Sequence, residues 1–258
     1  MNLGCFSALL FCTALLLSGC GARETQETVE SLPPKPAAFT RESKIEDVKH
    51  DPVFGSYGRL LFPVEDAYYS GDTLEDLGLT YYSHIDPDET VEIVNTLRER
   101  AADGQTIFYD IYTDEEKAAE PAKEDTGLFF FKGIPGEKFA ICNAGGAFAY
   151  VGAMQDSFPH ALELSQKGYN AFALIYRPGA QTACEDLARA IRFIFDHADE
   201  LEVDTDCCSL WDGSTGARMA AWLGTYGPAA FGGGNLPRPG TVAEGWLDDA
   251  VTFWEKQM

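Results

Sequence analysis

Along residues 106–226 the apolar positions switch between two periods, and the switches define a series of elements. Thr106–Tyr112 (TIFYDIY), Gly127–Phe131 (GLFFF) and Lys138–Cys142 (KFAIC) are short apolar stretches, which predict strands. Ser157–Lys167 has helical spacing and is closed by Gly168. Asn170–Tyr176 (NAFALIY) is apolar almost without interruption, the pattern of a strand covered on both faces of its sheet. Thr182–His197 predicts a helix that turns Leu187, Ala190, Ile191, Ile194 and Phe195 inward. Cys207–Trp211 predicts another strand, and Thr215–Leu223 a helix ending at Gly224. Strands alternating with helices imply an α/β fold: a mostly parallel sheet, right-handed crossovers and helices on both faces.

Upstream the pattern is mixed. Between 46 and 105, Gly55, Gly58 and Gly71 punctuate a loop-rich stretch holding Tyr57, Tyr68, Tyr69, Tyr81 and Tyr82. Asp88–Ala102 is helical in spacing, with Val91, Val94 and Leu97 on one face. This segment is expected to be an N-terminal extension, with a lid over a pocket as the alternative. Residues 21–45 are rich in Glu, Thr, Pro and Ala and show no apolar period, which predicts a flexible tether.

Leu3 to Leu17 is almost wholly apolar and ends in Leu17-Ser18-Gly19-Cys20. The run has the length of a signal-peptide core and falls short of the roughly 20 residues of a membrane span. Small residues before a cysteine at this point resemble the bacterial lipoprotein signal. That resemblance implies residues 1–20 as signal and lipidation site, Cys20 as the lipidated residue, and a soluble domain anchored to a membrane on the extracytoplasmic side of the cell envelope. One feature departs from it: no Lys or Arg precedes the apolar run, and Arg23 is the first. An ordinary secretory signal with a chance cysteine is the alternative.

Composition narrows the partners. Asp and Glu number 41 against 19 Lys and Arg, a net charge of −22. Such a surface excludes nucleic acid, whose phosphates need clustered cations. Hydrophobic residues at 45% are enough for a packed core. Of the seven cysteines, Cys142, Cys184, Cys207 and Cys208 have no zinc-site spacing, and no metal or organic cofactor is expected. Cys207 and Cys208 are expected to be small strand residues rather than a redox pair.

Two loops carry candidate chemistry. In Trp211-Asp212-Gly213-Ser214-Thr215-Gly216-Ala217 a serine sits between a predicted strand and a predicted helix. A turn there would hold the serine in a strained backbone with its Oγ free, above a helix N-terminus whose unpaired N–H groups suit a developing oxyanion. A plain Gly-Ser turn is the alternative. The second loop, Cys142-Asn143-Ala144-Gly145-Gly146-Ala147-Phe148, follows a strand directly, and its glycines let backbone N–H groups approach a substrate oxygen. A flexible loop without function is the alternative.

Together with Tyr176-Arg177-Pro178, these loops resemble the α/β-hydrolase superfamily, in its esterase/lipase division and nearest to the acetyl-esterase and hormone-sensitive-lipase-like branch, over roughly 105–226. The resemblance implies a three-layer α/β-hydrolase-like domain at 106–258, Ser214 as nucleophile, and Gly145, Gly146 and Thr215 as oxyanion donors. It also implies a small ester-type substrate or ligand. Asn143 and Ala144 replace the His and first Gly of the oxyanion loop. Asp212 stands where the turn has Gly, where a carboxylate is expected to crowd the turn and oppose an oxyanion.

The four histidines, His50, His84, His160 and His197, all precede Ser214, whereas the superfamily's base follows the nucleophile. His160 and His197 are expected to be solvated or capping residues. Only 44 residues follow Ser214, and Phe231–Gly240 leads straight into a predicted closing helix, Ala243–Lys256. The domain is therefore expected to be C-terminally shortened after about 236, lacking the block with the acid and the histidine. The expectation is a serine hydrolase-type lipoprotein acting on carboxylic esters with impaired or absent catalysis, and with possible self-association through an uncovered sheet edge. The alternatives are a surface-anchored binding protein on the same fold and a product that does not fold.

Overall fold

The computed structural model of the chain describes residues 37–82 and 84–227. The signal and its Cys20, most of the tether, the shortening after about 236 and the helix expected at Ala243–Lys256 lie outside the described residues. In chain order the elements are α1 (Ile45–Lys49), β1 (Tyr69–Ser70), β2 (Gly78–Leu79), α2 (Pro87–Ala102), β3 (Phe108–Tyr109) and α3 (Asp114–Ala119). They continue with β4 (Gly127–Phe131), β5 (Lys138–Asn143), α4 (Ser157–Gln166), β6 (Asn170–Ile175), α5 (Ala180–Asp196), α6 (Ala198–Leu201), β7 (Asp204–Asp212) and α7 (Thr215–Tyr226).

Five strands form the central sheet in the order β3-β4-β6-β5-β7, and β1 and β2 pair apart from it. The β3–β4 and β4–β6 pairings are antiparallel, and β6–β5 and β5–β7 are parallel. The chain between β4 and β5 is too short for a crossover, so it reverses direction there. Parallel pairing is thus confined to the half of the sheet that carries both candidate loops.

Neighbouring residues of a strand point to opposite faces, and β4 shows where the layers lie. Phe129 and Phe131 meet Phe158 of α4, whereas Phe130 stacks on Phe172 with 4.4 Å between ring centres. On that second face Phe139 makes edge contacts with Phe172 and with Phe195 of α5. From β5 through α4 the chain steps to β6, and from β6 through α5 it steps back across β5 to β7. Right-handed crossovers in opposite directions put α4 and α5 on opposite faces. The chain leaving β5 turns to one face and that leaving β7 to the other, which opens a crevice at their C-terminal ends.

Three boundaries differ by three residues from the sequence pattern. The strand expected over Thr106–Tyr112 is only Phe108–Tyr109, an edge pair, because Thr113 and Glu116 form a capping box that starts α3. The helix expected to end at Gly224 runs on to Tyr226 and ends at Gly227, whose φ of 73° supplies the left-handed residue. An interior glycine costs a helix only about 1 kcal/mol. The last strand starts earlier than expected, at Asp204.

The N-terminal segment packs on this sheet. Phe54, Leu60, Leu61, Ile93, Val94 and Leu97 are buried, Tyr57 stacks on Phe108, and α2 lies against α4. At the end of β6, the Arg177 guanidinium donates to Asp186 of α5 from both Nη2 (2.7 Å) and Nε (3.0 Å), and the Arg177 backbone N–H donates to the same carboxylate. Asp186 is fully buried and also accepts from the Tyr112 hydroxyl at 2.8 Å. This cluster fastens α5 to the strand that closes before the site.

Candidate active site

Ser214 follows β7 and caps α7 with φ 50° and ψ −108°. A left-handed φ on a non-glycine residue costs on the order of 1–3 kcal/mol and is held by surrounding structure. Here Gly213 N–H donates to the Asn143 carbonyl at 3.2 Å, and Gly216 N–H donates back to the Gly213 carbonyl at 2.8 Å. Ser214 is exposed at this turn. Thr215 is the first residue of α7, where an N–H has no intrahelical acceptor. The tight turn between strand and helix is the geometry expected of the sequence around Ser214.

The glycine loop abuts this turn. A β-carbon on Gly145 would fall 2.9 Å from the Ser214 β-carbon, so only glycine permits the approach. The loop is held by Gly152 N–H on the Gly145 carbonyl and by the Tyr176 hydroxyl, which donates to the Ala144 carbonyl at 2.8 Å. That hydroxyl also lies 3.3 Å from Thr215 Oγ1. Ser214 and Gly145 are therefore in contact, with Thr215 and Gly146 next to them in the chain. Gly145 is not a free donor, however: its N–H is bound to Asp156 Oδ2 at 2.8 Å.

Asp212 does not crowd the serine. It ends β7 directly opposite Asn143 of β5, and its carboxylate accepts from the Asn143 side-chain amide. Burial lifts its carboxyl from 3.8 to about 7; the Asn143 hydrogen bond opposes that rise and the charge of Asp156 adds to it. The Cys142 thiol below it is pushed up, chiefly by burial.

His160 and His197 take the solvated and capping positions expected of them. His197 Nδ1 pairs with the Phe193 carbonyl at the end of α5, and His50 Nδ1 with the Glu46 carbonyl. His160 is half-exposed, 3.7 Å from Asp156 Oδ1 and beside the Trp211 ring. No hydrogen bond joins a histidine to Ser214 among the described residues. Nor, among them, does any group of three or more His, Cys, Asp or Glu stand where it could hold a metal ion. No helix among the described residues is long and apolar enough to cross a membrane.

Sequence reasoning missed two residues at the site. Tyr82, from the N-terminal segment, donates its hydroxyl to Asp156 Oδ2 at 3.0 Å. Asp156, just before α4, is largely buried at this junction. The cluster of tyrosines near 82 is the one available signal, in a segment whose pattern reads as an N-terminal extension. A cavity of about 140 Å³ lies beside the glycine loop, walled by Leu60, Phe62, Tyr68, Tyr150 and Tyr176.

The BD-FAE family model matches residues 137–236, from the start of β5 past α7. No curated protein sequence shows significant similarity to the chain. Among solved structures, a thermophilic esterase, Est2, from the Planctomycetes species Thermogutta terrifontis is 27% identical over 37% of this chain and 38% of its own, with a TM-score of 0.34. MGS-M1, an α/β hydrolase from a Medee basin deep-sea metagenome library, is 24% identical over 40% of this chain and 47% of its own (TM-score 0.35). An acetyl ester-xyloside bifunctional hydrolase from Caldicellulosiruptor lactoaceticus is 22% identical over 46% of each chain (TM-score 0.40). The chain thus spans under half the length of the solved enzymes it matches. Over residues 137–236 the chain is similar to BD-FAE, an esterase-like α/β-hydrolase family.

Proposed function

We propose that this chain is a serine-type acyl-transfer protein for small carboxylic esters, with Ser214 as the nucleophile. The observation that carries the reading is the backbone of Ser214, left-handed between β7 and α7 with the glycine loop against its β-carbon. Ser214 Oγ attacks the ester carbonyl, and the oxyanion forms over the N-terminus of α7. There the Thr215 N–H, the helix dipole and the Gly146 N–H favour negative charge. Collapse expels the alcohol and leaves an acyl-serine, which water hydrolyses.

The weak step is proton removal. With no histidine hydrogen-bonded to Ser214 among the described residues, this reading expects slow turnover. Loss of a triad histidine costs on the order of 10⁶ in kcat, while an oxyanion site alone retains roughly 10³ over water. In this reading the chain acylates and releases slowly. The proposal includes the leader: Cys20 lipidated and the domain tethered outside the cytoplasmic membrane. It also includes self-association through β7, which pairs on one side only among the described residues.

p-Nitrophenyl acetate tests the chemistry. The reading expects slow release of p-nitrophenol that disappears in Ser214→Ala. Release that is unchanged in Ser214→Ala removes Ser214 from the reaction, and fast turnover would mean that another base has been recruited.

A further inference from the structure

Two donors meet on one oxygen beside the nucleophile. Asp156 Oδ2 accepts from the Gly145 N–H at 2.8 Å and from the Tyr82 hydroxyl at 3.0 Å. The Asp156 side chain is 11% exposed, and it packs on Gly213, where a β-carbon would fall 2.2 Å from Oδ2. The Tyr82 hydroxyl and the Ser214 β-carbon also meet over the bare face of Gly145: a β-carbon there would be 2.8 Å from the first and 2.9 Å from the second. The Tyr82 ring is fixed against Gly152, so its hydroxyl is aimed by packing. The only basic group against this carboxylate among the described residues is His160, 3.7 Å from the other oxygen, Oδ1. A carboxylate oxygen gripped by two convergent donors next to a strained serine has the form of an oxyanion site filled by an internal anion.

We propose that the Gly145 N–H and the Tyr82 hydroxyl are an anion-stabilising pair for the Ser214 centre and that the Asp156 carboxylate occupies that pair at rest. Tyr82 is then a catalytic residue, supplied by the N-terminal segment from outside the matched residues 137–236. As the substrate oxygen takes up charge it replaces Asp156 on the two donors, and the displaced carboxylate opposes it by like charge. This inference rests on the reading of Ser214 as nucleophile.

The test is the rate at which an alkyl fluorophosphonate modifies the full-length chain, with the adduct mapped by mass spectrometry. In this step Ser214 Oγ forms the O–P bond, fluoride leaves, and the hydroxyl proton passes to water. Tyr82→Phe keeps the ring and removes the donor, and its labelling is expected to slow by about 10²-fold with an unchanged thermal midpoint. Asp156→Asn keeps the size and removes the charge, and its labelling is expected to be faster than that of the natural chain. A purely supporting role for both residues predicts slower labelling in both variants. Slower labelling of Asp156→Asn, or equal rates for Tyr82→Phe and the natural chain, overturns the inference alone. Absence of a Ser214 adduct in every form overturns the nucleophile reading and the inference with it.

Discussion

Asn143 and Asp212 face each other across the ends of β5 and β7, and the Asn143 amide donates to the Asp212 carboxylate. Each belongs to one of the two loops that build the site, so this bond joins the glycine loop to the serine turn. The Asn143 Oδ1 atom is buried without a partner among the described residues, so within them the pair is only partly satisfied.

That arrangement makes stability depend on pH. Burial raises the folded-state carboxyl of Asp212 to about 7 from 3.8, so the folded chain holds this proton more tightly than the unfolded chain. The stabilisation is fully present below about 3.8 and is lost as pH rises through about 7. Asp212→Asn should remove up to ~4 kcal/mol of that pH dependence. Urea unfolding of both forms from pH 4 to 8 checks it: the natural chain should lose stability relative to the variant across that window. Parallel curves would mean that Asp212 titrates normally.

Gly216 sets how closely α7 lies on β5. A β-carbon there would meet the Asn143 carbonyl oxygen at 2.1 Å, and that oxygen belongs to backbone that cannot swing away. Gly216→Ala should cost about 1–3 kcal/mol, the usual range for overpacking. It should also slow modification of Ser214, because the serine turn shifts with the helix. Denaturant midpoints read the first effect and fluorophosphonate labelling the second; a variant as stable and as reactive as the natural chain contradicts the packing described.

The Arg177–Asp186 pair is buried on both sides, so removing one partner strands the other. Asp186→Ala should destabilise the chain by about 3–5 kcal/mol, far more than a surface ion pair is worth. Thermal unfolding followed by circular dichroism measures this, and a loss below about 1 kcal/mol would place the pair among surface-type interactions.

Lipidation is tested apart from the fold. The full-length chain expressed in bacteria should take up radiolabelled fatty acid and partition with membranes, and Cys20→Ala should do neither. Equal incorporation by both forms contradicts the role given to Cys20.

The sheet and its helices were legible because burial imposes a period. β4, β5 and β6 and helices α2, α4 and α5 fall close to their apolar runs. The edge strand β3 was overestimated because TIFYDIY is apolar enough for a strand, yet a capping box two residues past Ile111 ends it. The serine turn and the glycine loop were legible because their glycines carry local conformational constraints. The Tyr82–Asp156 contact was not, since it spans 74 residues of sequence and leaves no local period at either end. Asp212 was misjudged for the same reason: its partner Asn143 lies 69 residues upstream, and only the strand register brings them together.

The central claim is that Ser214 is a nucleophile on a strained turn, assisted by oxyanion donors rather than by a histidine. Its most direct measurement is the intact mass of the folded chain after fluorophosphonate treatment, followed by peptide mapping. The account predicts a single phosphonyl adduct on the peptide containing Ser214, formed by the natural chain and abolished both in Ser214→Ala and by prior unfolding. No adduct on the folded chain, or an adduct that persists in Ser214→Ala, would contradict it.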